Sequence, residues 1–215
     1  MSAQPIVSFL GGAALSAPIG GERAITIRFD NIPDAAPGGL VGYSPYISLV
    51  LPTNGSDGAD AGNAEVNDGL AFLGATYLGV ALQQWVREFP ASGQVTHPFT
   101  TDALGNPLIV TGTPGETLVV LRLPFGSFTP GQTAADVLVT LDISSFADLG
   151  KPLAVQASGG FAYGRDPLLN PQQTRRCSAR AARLPSRPPS SSSTRSMSAP
   201  SRRRRPAPPM RANGW

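Results

Sequence analysis

Strict apolar/polar alternation, a series of strand-length apolar runs, and turn clusters of Gly, Pro, Asp and Asn between them predict an all-β chain. The predicted architecture is an antiparallel β-sandwich, Ig-like or jelly-roll-like, followed by a disordered tail. Residues 1–19 have an apolar patch and small residues but no basic start. They read as a lead-in to the first strand, with a degenerate leader peptide as the alternative.

The strands follow in order. In AITIRFDN, Ile25, Ile27 and Phe29 share one face, and Thr26, Arg28 and Asp30 share the other. YISLVLP, LAFLGATYLG (70–79), PLIVTG (107–112) and TLVVLRLPF (117–125) continue the series. DVLVTLDIS sets Val137, Val139, Leu141 and Ile143 against Leu138, Thr140 and Asp142, and LAVQASGGFAYG (153–164) closes the run. NIPDAAPGG, the long loop Thr53–Gly69, DALGNP, GTPGE, TPGQT and ADLGKP separate them as turns. No stretch of helix length has helical periodicity, although LQQWVREF (82–89) could make one turn or two.

Charge divides the chain at Gln173/Thr174. All 14 acidic residues precede that point alongside six basic ones, which gives the body −8, whereas 11 arginines and no acid follow it. The domain is therefore placed at 20–173. Residues 174–215 form an Arg/Ser/Pro tail without apolar periodicity, which cannot bury enough surface to offset chain entropy and is expected to be disordered. Cys177 is the single cysteine, so no disulfide framework exists. No apolar run reaches the ~18 residues of a membrane helix, so membrane insertion is not expected.

Two stretches look familiar: GYSPYISLVLPTNGSDGAD with DGLAFLGATYLG, and HPFTTDALGNPLIVTGTPGETLVVLRLPFGSFTPGQTAADVLVTLDIS with LAVQASGGFAYGRDPLLNP. Over about residues 20–172 the chain resembles the N-terminal β-rich region of large bacterial cell-surface, adhesin-like proteins built from conserved Ig-like β-sandwich repeats. That resemblance implies a secreted or surface location and neighbouring β-modules as partners. The tail departs from the group. With the bases that the amino acids leave free chosen to suit, a one-base slip of the reading frame near Thr174 turns its Arg, Ser and Thr codons into a strand-like string similar to the start of a further module. Residues beyond about Gln173 therefore read as out-of-frame translation and the chain as a truncated fragment.

No residue stands out as catalytic, cofactor-binding or metal-ligating. His97, the sole histidine, sits beside Pro98 at an expected strand end and reads as structural. Ser158 lacks the glycine two positions earlier that a nucleophile elbow requires. Gly150-Lys151 is followed by Pro152 rather than Ser or Thr, and GGFAYG (159–164) lacks dinucleotide spacing. Lys151, the only lysine and so the only candidate for an isopeptide crosslink, falls in a turn.

The loop from Thr53 to Gly69 offers hard oxygen ligands in Asn54, Asp57, Asp60, Asn63, Glu65, Asn67 and Asp68. Their spacing differs from an EF-hand, and a solvated loop is the favoured reading. Trp85, Tyr43, Tyr46, Tyr77 and Tyr163 are the body's candidates for a sugar platform, with core packing the commoner role. Arg202–Arg205 would bind polyanions through counterion release without sequence recognition. No cofactor is implied, and no specific nucleic acid is expected as a partner. The expected function is a non-catalytic structural or adhesive module. The alternative is a carbohydrate- or calcium-dependent binding module, with a surface glycan or host ligand as partner.

Overall fold

The computed structural model describes residues 3–11, 14–32, 41–55, 67–101, 104–163 and 172–180. The chain divides into a unit of Met1–Arg183 and a second of Leu184–Trp215, and every described residue belongs to the first. The expected disorder of the tail beyond Arg180 lies outside the described residues.

All regular structure among the described residues is β. The strands are β1 (Gln4–Leu10), β2 (Ala14–Pro18), β3 (Gly21–Ile32), β4 (Gly42–Leu51), β5 (Leu70–Tyr77), β6 (Val80–Ala81) and β7 (Gln83–Glu88). They continue as β8 (Gln94–Thr101), β9 (Pro107–Thr111), β10 (Thr117–Arg122), β11 (Ser127–Phe128), β12 (Ala135–Ile143), β13 (Pro152–Tyr163) and β14 (Gln172–Arg180). One sheet has the order β1-β3-β12-β5-β6. The other has the order β2-β14-β13-β4-β10-β7, with β11 on β4. Pairing is antiparallel throughout except β14 with β2.

The alternation read from the sequence is the packing pattern. Ile25, Ile27 and Phe29 of β3 and Val137, Val139, Leu141 and Ile143 of β12 are buried, and so are Ile47, Leu49 and Leu51 of β4 and Val155, Ala157 and Phe161 of β13. These inner faces form one core between the sheets. Phe29 organises one end of it, with its ring edge-on to Phe128 at 5.3 Å and to Phe161 at 5.5 Å. Phe125 extends the cluster to Tyr77. Gly159 admits this crowding, since a Cβ there would lie 2.3 Å from Val7 Cγ2 and 3.1 Å from the Phe29 ring.

On the far side of β12 and β3, Arg28 grips Asp136 through two bonds, Nε to Oδ1 at 2.7 Å and a terminal nitrogen to Oδ2 at 2.8 Å. The pair is cross-strand and exposed, so it contributes little to stability. The guanidinium nevertheless holds the Asp136 carboxyl below its ordinary pKa.

Three segments differ from expectation. Within residues 1–19, Gln4–Leu10 forms an edge strand on β3, because Val7 finds a buried seat against the core. Residues 82–89 hold β7 rather than a helical turn: Leu82 and Phe89 are buried at its ends, and the intervening backbone pairs with β10 residue for residue. β14 runs through the composition change at Gln173/Thr174, pairing Gln172–Ser178 with β13. Backbone ladders need only N–H and C=O groups, so a shift in side-chain composition does not end a strand. Among the described residues no helix is long and apolar enough to cross a membrane.

Candidate functional site

The polar and aromatic groups converge on the outer face of the second sheet, which the hairpin β8–β9 covers as a partial third layer. Cross-strand pairing lays out that face in rows. Trp85, Val120, Ser48 and Ser158 make one, and Arg87, Leu118, Val50 and Gln156 make the next. Tyr46, Phe89, Leu118 and Val120 form a second, smaller core there, joined by Trp85, Val95, Phe99 and Val110. The hairpin ladder breaks between Thr96 and Thr101. Pro98 cannot donate to it, and the irregular stretch turns His97 inward.

His97 is 4% exposed. Its Nδ1 accepts the Phe99 N–H at 3.2 Å, which places the ring proton on Nε2, and Nε2 then donates to Ser48 Oγ at 3.2 Å. The Tyr46 ring lies 4.6 Å away. Burial alone lowers the imidazole pKa to about 4, so the ring is neutral at physiological pH. Both ring nitrogens are therefore committed, Nδ1 to the irregular turn within β8 and Nε2 to holding the hairpin on the sheet.

Around this fastener, Trp85 packs on Phe99 with ring centroids 5.2 Å apart and planes tilted by 32°, and Arg122 lies over the Phe99 ring at 5.8 Å. A recess of about 170 Å³ opens among Trp85, Arg87, Thr96, Pro98, Leu118 and Val120. A more polar recess of about 320 Å³ lies among Thr111, Thr113, Glu116 and Gln156. The Glu116 carboxylate there accepts the Thr113 N–H at 2.9 Å.

The acidic loop is described only at its base. Asn54 is buried and its Oδ1 accepts the Asn67 N–H at 3.1 Å, while Gly69 N–H donates to Thr53 C=O and Leu70 N–H to Pro52 C=O. Gly55, at φ +68, leaves room for the buried Asp68 carboxylate, which would lie 2.7 Å from a Cβ there. Asp57, Asp60, Asn63 and Glu65, named as possible calcium ligands, lie outside the described residues. Among the described residues no three His, Cys, Asp or Glu side chains gather.

The aromatic candidates separate. Tyr46 is buried and Tyr77 packs on Phe125. Tyr43 and Tyr163 are direct cross-strand neighbours and are 49% and 70% exposed. This tyrosine pair is a feature sequence reasoning did not single out, since 120 positions part its members. Ser48 was missed for the same reason, being 49 positions from His97. Ser158 is half-buried opposite Ser48, and Lys151 is exposed in its turn. Arg202–Arg205 lie outside the described residues.

No family model matches the chain, and no curated protein matches it. Solved structures with a similar arrangement include AvmM, which catalyses macrocyclization in alchivemycin A biosynthesis. It is 13% identical at a TM-score of 0.43, over 84% of this chain and 92% of that one. The major pilin subunit BcpA of Bacillus cereus is 7% identical at a TM-score of 0.39, and the match covers 82% of this chain and only 40% of the pilin. The sixth cohesin of Acetivibrio cellulolyticus scaffoldin B, solved in complex with a Cel5 dockerin mutant, is 10% identical at a TM-score of 0.38, over 84% and 99% of the two chains. At such identities and TM-scores none of them carries a fold or a function over to the chain.

Proposed function

We propose that this chain is a non-catalytic structural or adhesive module of an extracellular bacterial surface protein, working beside neighbouring β-modules of the same or a longer chain. The observation that carries the reading is the use made of reactive side chains. His97 and Ser48 fasten a hairpin, Asn31 donates to Phe128 C=O at 2.9 Å and accepts the Gln4 N–H, and Asn54 clasps a loop base. These polar groups tie strands and loops together, as a stiff spacer requires. The change to an arginine-rich composition after Gln173 belongs to the same reading as out-of-frame translation of a truncated fragment. Sequencing the gene across the codons for Asn170 to Arg180 tests that part.

A second reading, a carbohydrate- or calcium-dependent binding module, is favoured by the exposed Tyr43–Tyr163 pair, since neighbouring tyrosines offer sugar rings an apolar face with hydroxyls at its rim. A glycan and matrix-protein array probed with the full chain, in calcium and in EDTA, separates the two. Binding to matrix proteins alone, or silence, agrees with the structural or adhesive module. Saturable glycan binding that Tyr43→Ala abolishes supports the second reading and overturns the first.

A further inference from the structure

β7 is an edge strand of unusual openness. It pairs with β10 on one side, and among the described residues nothing pairs with the other. Among the described residues the remaining edges carry a proline, a bulge or very short strands: Pro5 in β1, Pro18 in β2, Pro98 and Pro107 in the hairpin, two residues each in β6 and β11, and a register break in the ladder with β12 along the part of β5 that β6 leaves uncovered. Such features discourage strand addition. β7 has neither proline nor bulge, and its register with β10 is unbroken over six residues.

The hydrogen-bond parity says which groups face outward. Glu88 stands opposite Thr117, and Phe89 N–H donates to Glu116 C=O at 2.8 Å. That bond makes Glu88–Thr117 a non-bonded pair, so the odd residues of β7 bond to β10 and the even ones turn their N–H and C=O away. Gln84, Val86 and Glu88 thus present a row of backbone donors and acceptors to the open edge. Their side chains are exposed as well, Val86 by 40%.

We propose that this edge is a homodimer interface, in which β7 of a second copy adds antiparallel with Val86 on the two-fold axis. The sequence QQWVRE is self-complementary in that register. Val86 meets Val86, Gln84 meets Glu88 of the second copy, and Trp85 meets Arg87 of the second copy in a cation–π pair on the opposite face. Each of the three even-numbered pairs exchanges two backbone bonds, about six in total.

Neighbouring registers fail. One step places Trp85 on the axis and calls on the Leu82 N–H, already donated to Ala75 C=O at 3.0 Å. The step the other way sets Arg87 against Arg87 and brings Pro90, which has no N–H, opposite Gln84. The two-fold symmetry of antiparallel strands forbids intermediate shifts.

Sedimentation equilibrium of the full chain from about 1 µM to about 1 mM tests the proposal, together with amide hydrogen exchange. The expected result is a concentration-dependent rise from monomer to dimer mass. Amides of Gln84, Val86 and Glu88 should gain protection as the dimer forms, while those of Trp85 and Arg87 are protected at every concentration. Val86→Lys sets two ammonium groups against each other on the axis and should weaken association at least tenfold, with an unchanged urea midpoint at concentrations where both proteins are monomers. Val86→Pro removes an outward N–H, spares the β10 ladder, and should do the same. A chain that stays monomeric through the range overturns the proposal. So does association that neither substitution weakens, or exchange at the three amides that ignores concentration.

Discussion

His97 makes stability depend on pH in a way the structure quantifies. In the unfolded chain its imidazole takes a proton near 6.5, whereas in the fold it resists until about 4. The folded pKa is depressed, so the contribution is fully present above 6.5 and is lost as pH falls toward 4, where both states are protonated. The gap corresponds to ~3 kcal/mol at ~1.4 kcal/mol per tenfold change, a sizeable share of a domain stability of ~5–15 kcal/mol.

Between pH 6 and 5 the unfolded state holds nearly one proton more than the fold, so the slope approaches ~1.2 kcal/mol per pH unit. A proton on Nδ1 would also face the Phe99 N–H instead of accepting it, which gives the loss a structural cause. Urea titrations of the full chain at pH 8, 7, 6, 5 and 4, followed by far-UV circular dichroism, measure this. His97→Gln serves as the reference, because it keeps an amide donor for Ser48 and has nothing to titrate. Carboxylates such as Asp136 titrate alike in both proteins and cancel in the difference. Parallel pH profiles for the two proteins between 7 and 5 would show that His97 is accessible to protons in the fold, and the argument would fail.

Phe29→Ala should cost ~3–5 kcal/mol in a urea titration, because it empties the centre of the aromatic cluster that includes Phe128 and Phe161. Gly159→Ala should cost ~1–3 kcal/mol by pushing on Val7 and the Phe29 ring, and pairing it with Val7→Ala should recover part of the loss. Limited trypsin digestion followed by intact-mass measurement should spare Arg175 and Arg176, which pair with Val155 and Ala154, so that the core fragment ends at Arg180 or beyond. A fragment ending at Arg175 would show that β14 is not held in solution. Thermal midpoints in calcium and in EDTA should coincide, since bonds such as Asn67 N–H to Asn54 Oδ1 close the acidic loop at its base without a cation.

The inner strands were legible because their side chains obey a local rule. β3, β4, β12 and β13 alternate or run apolar over lengths that only a buried sheet face accommodates, and the turns between them have the composition that positive φ and tight reversals demand. His97 could be read as structural because a lone histidine beside proline has little scope to act, yet its partner Ser48 belongs to a different strand and no spacing announced it. β7 is not legible as a strand because QQWVRE has one half-buried residue and five exposed ones, and so lacks the contrast that marks a strand.

The amino-acid sequence by itself determined that the chain is all-β, where its core strands lie, and that its charge divides at Gln173. Only the tertiary structure decided which strands are neighbours, that a hairpin caps one sheet through His97, that Tyr43 meets Tyr163, and that β7 is left with an open edge. The physical reason is range. Alternation and turn chemistry are properties of a few adjacent residues, whereas pairing, burial and open edges depend on backbone groups brought together from positions scores of residues apart.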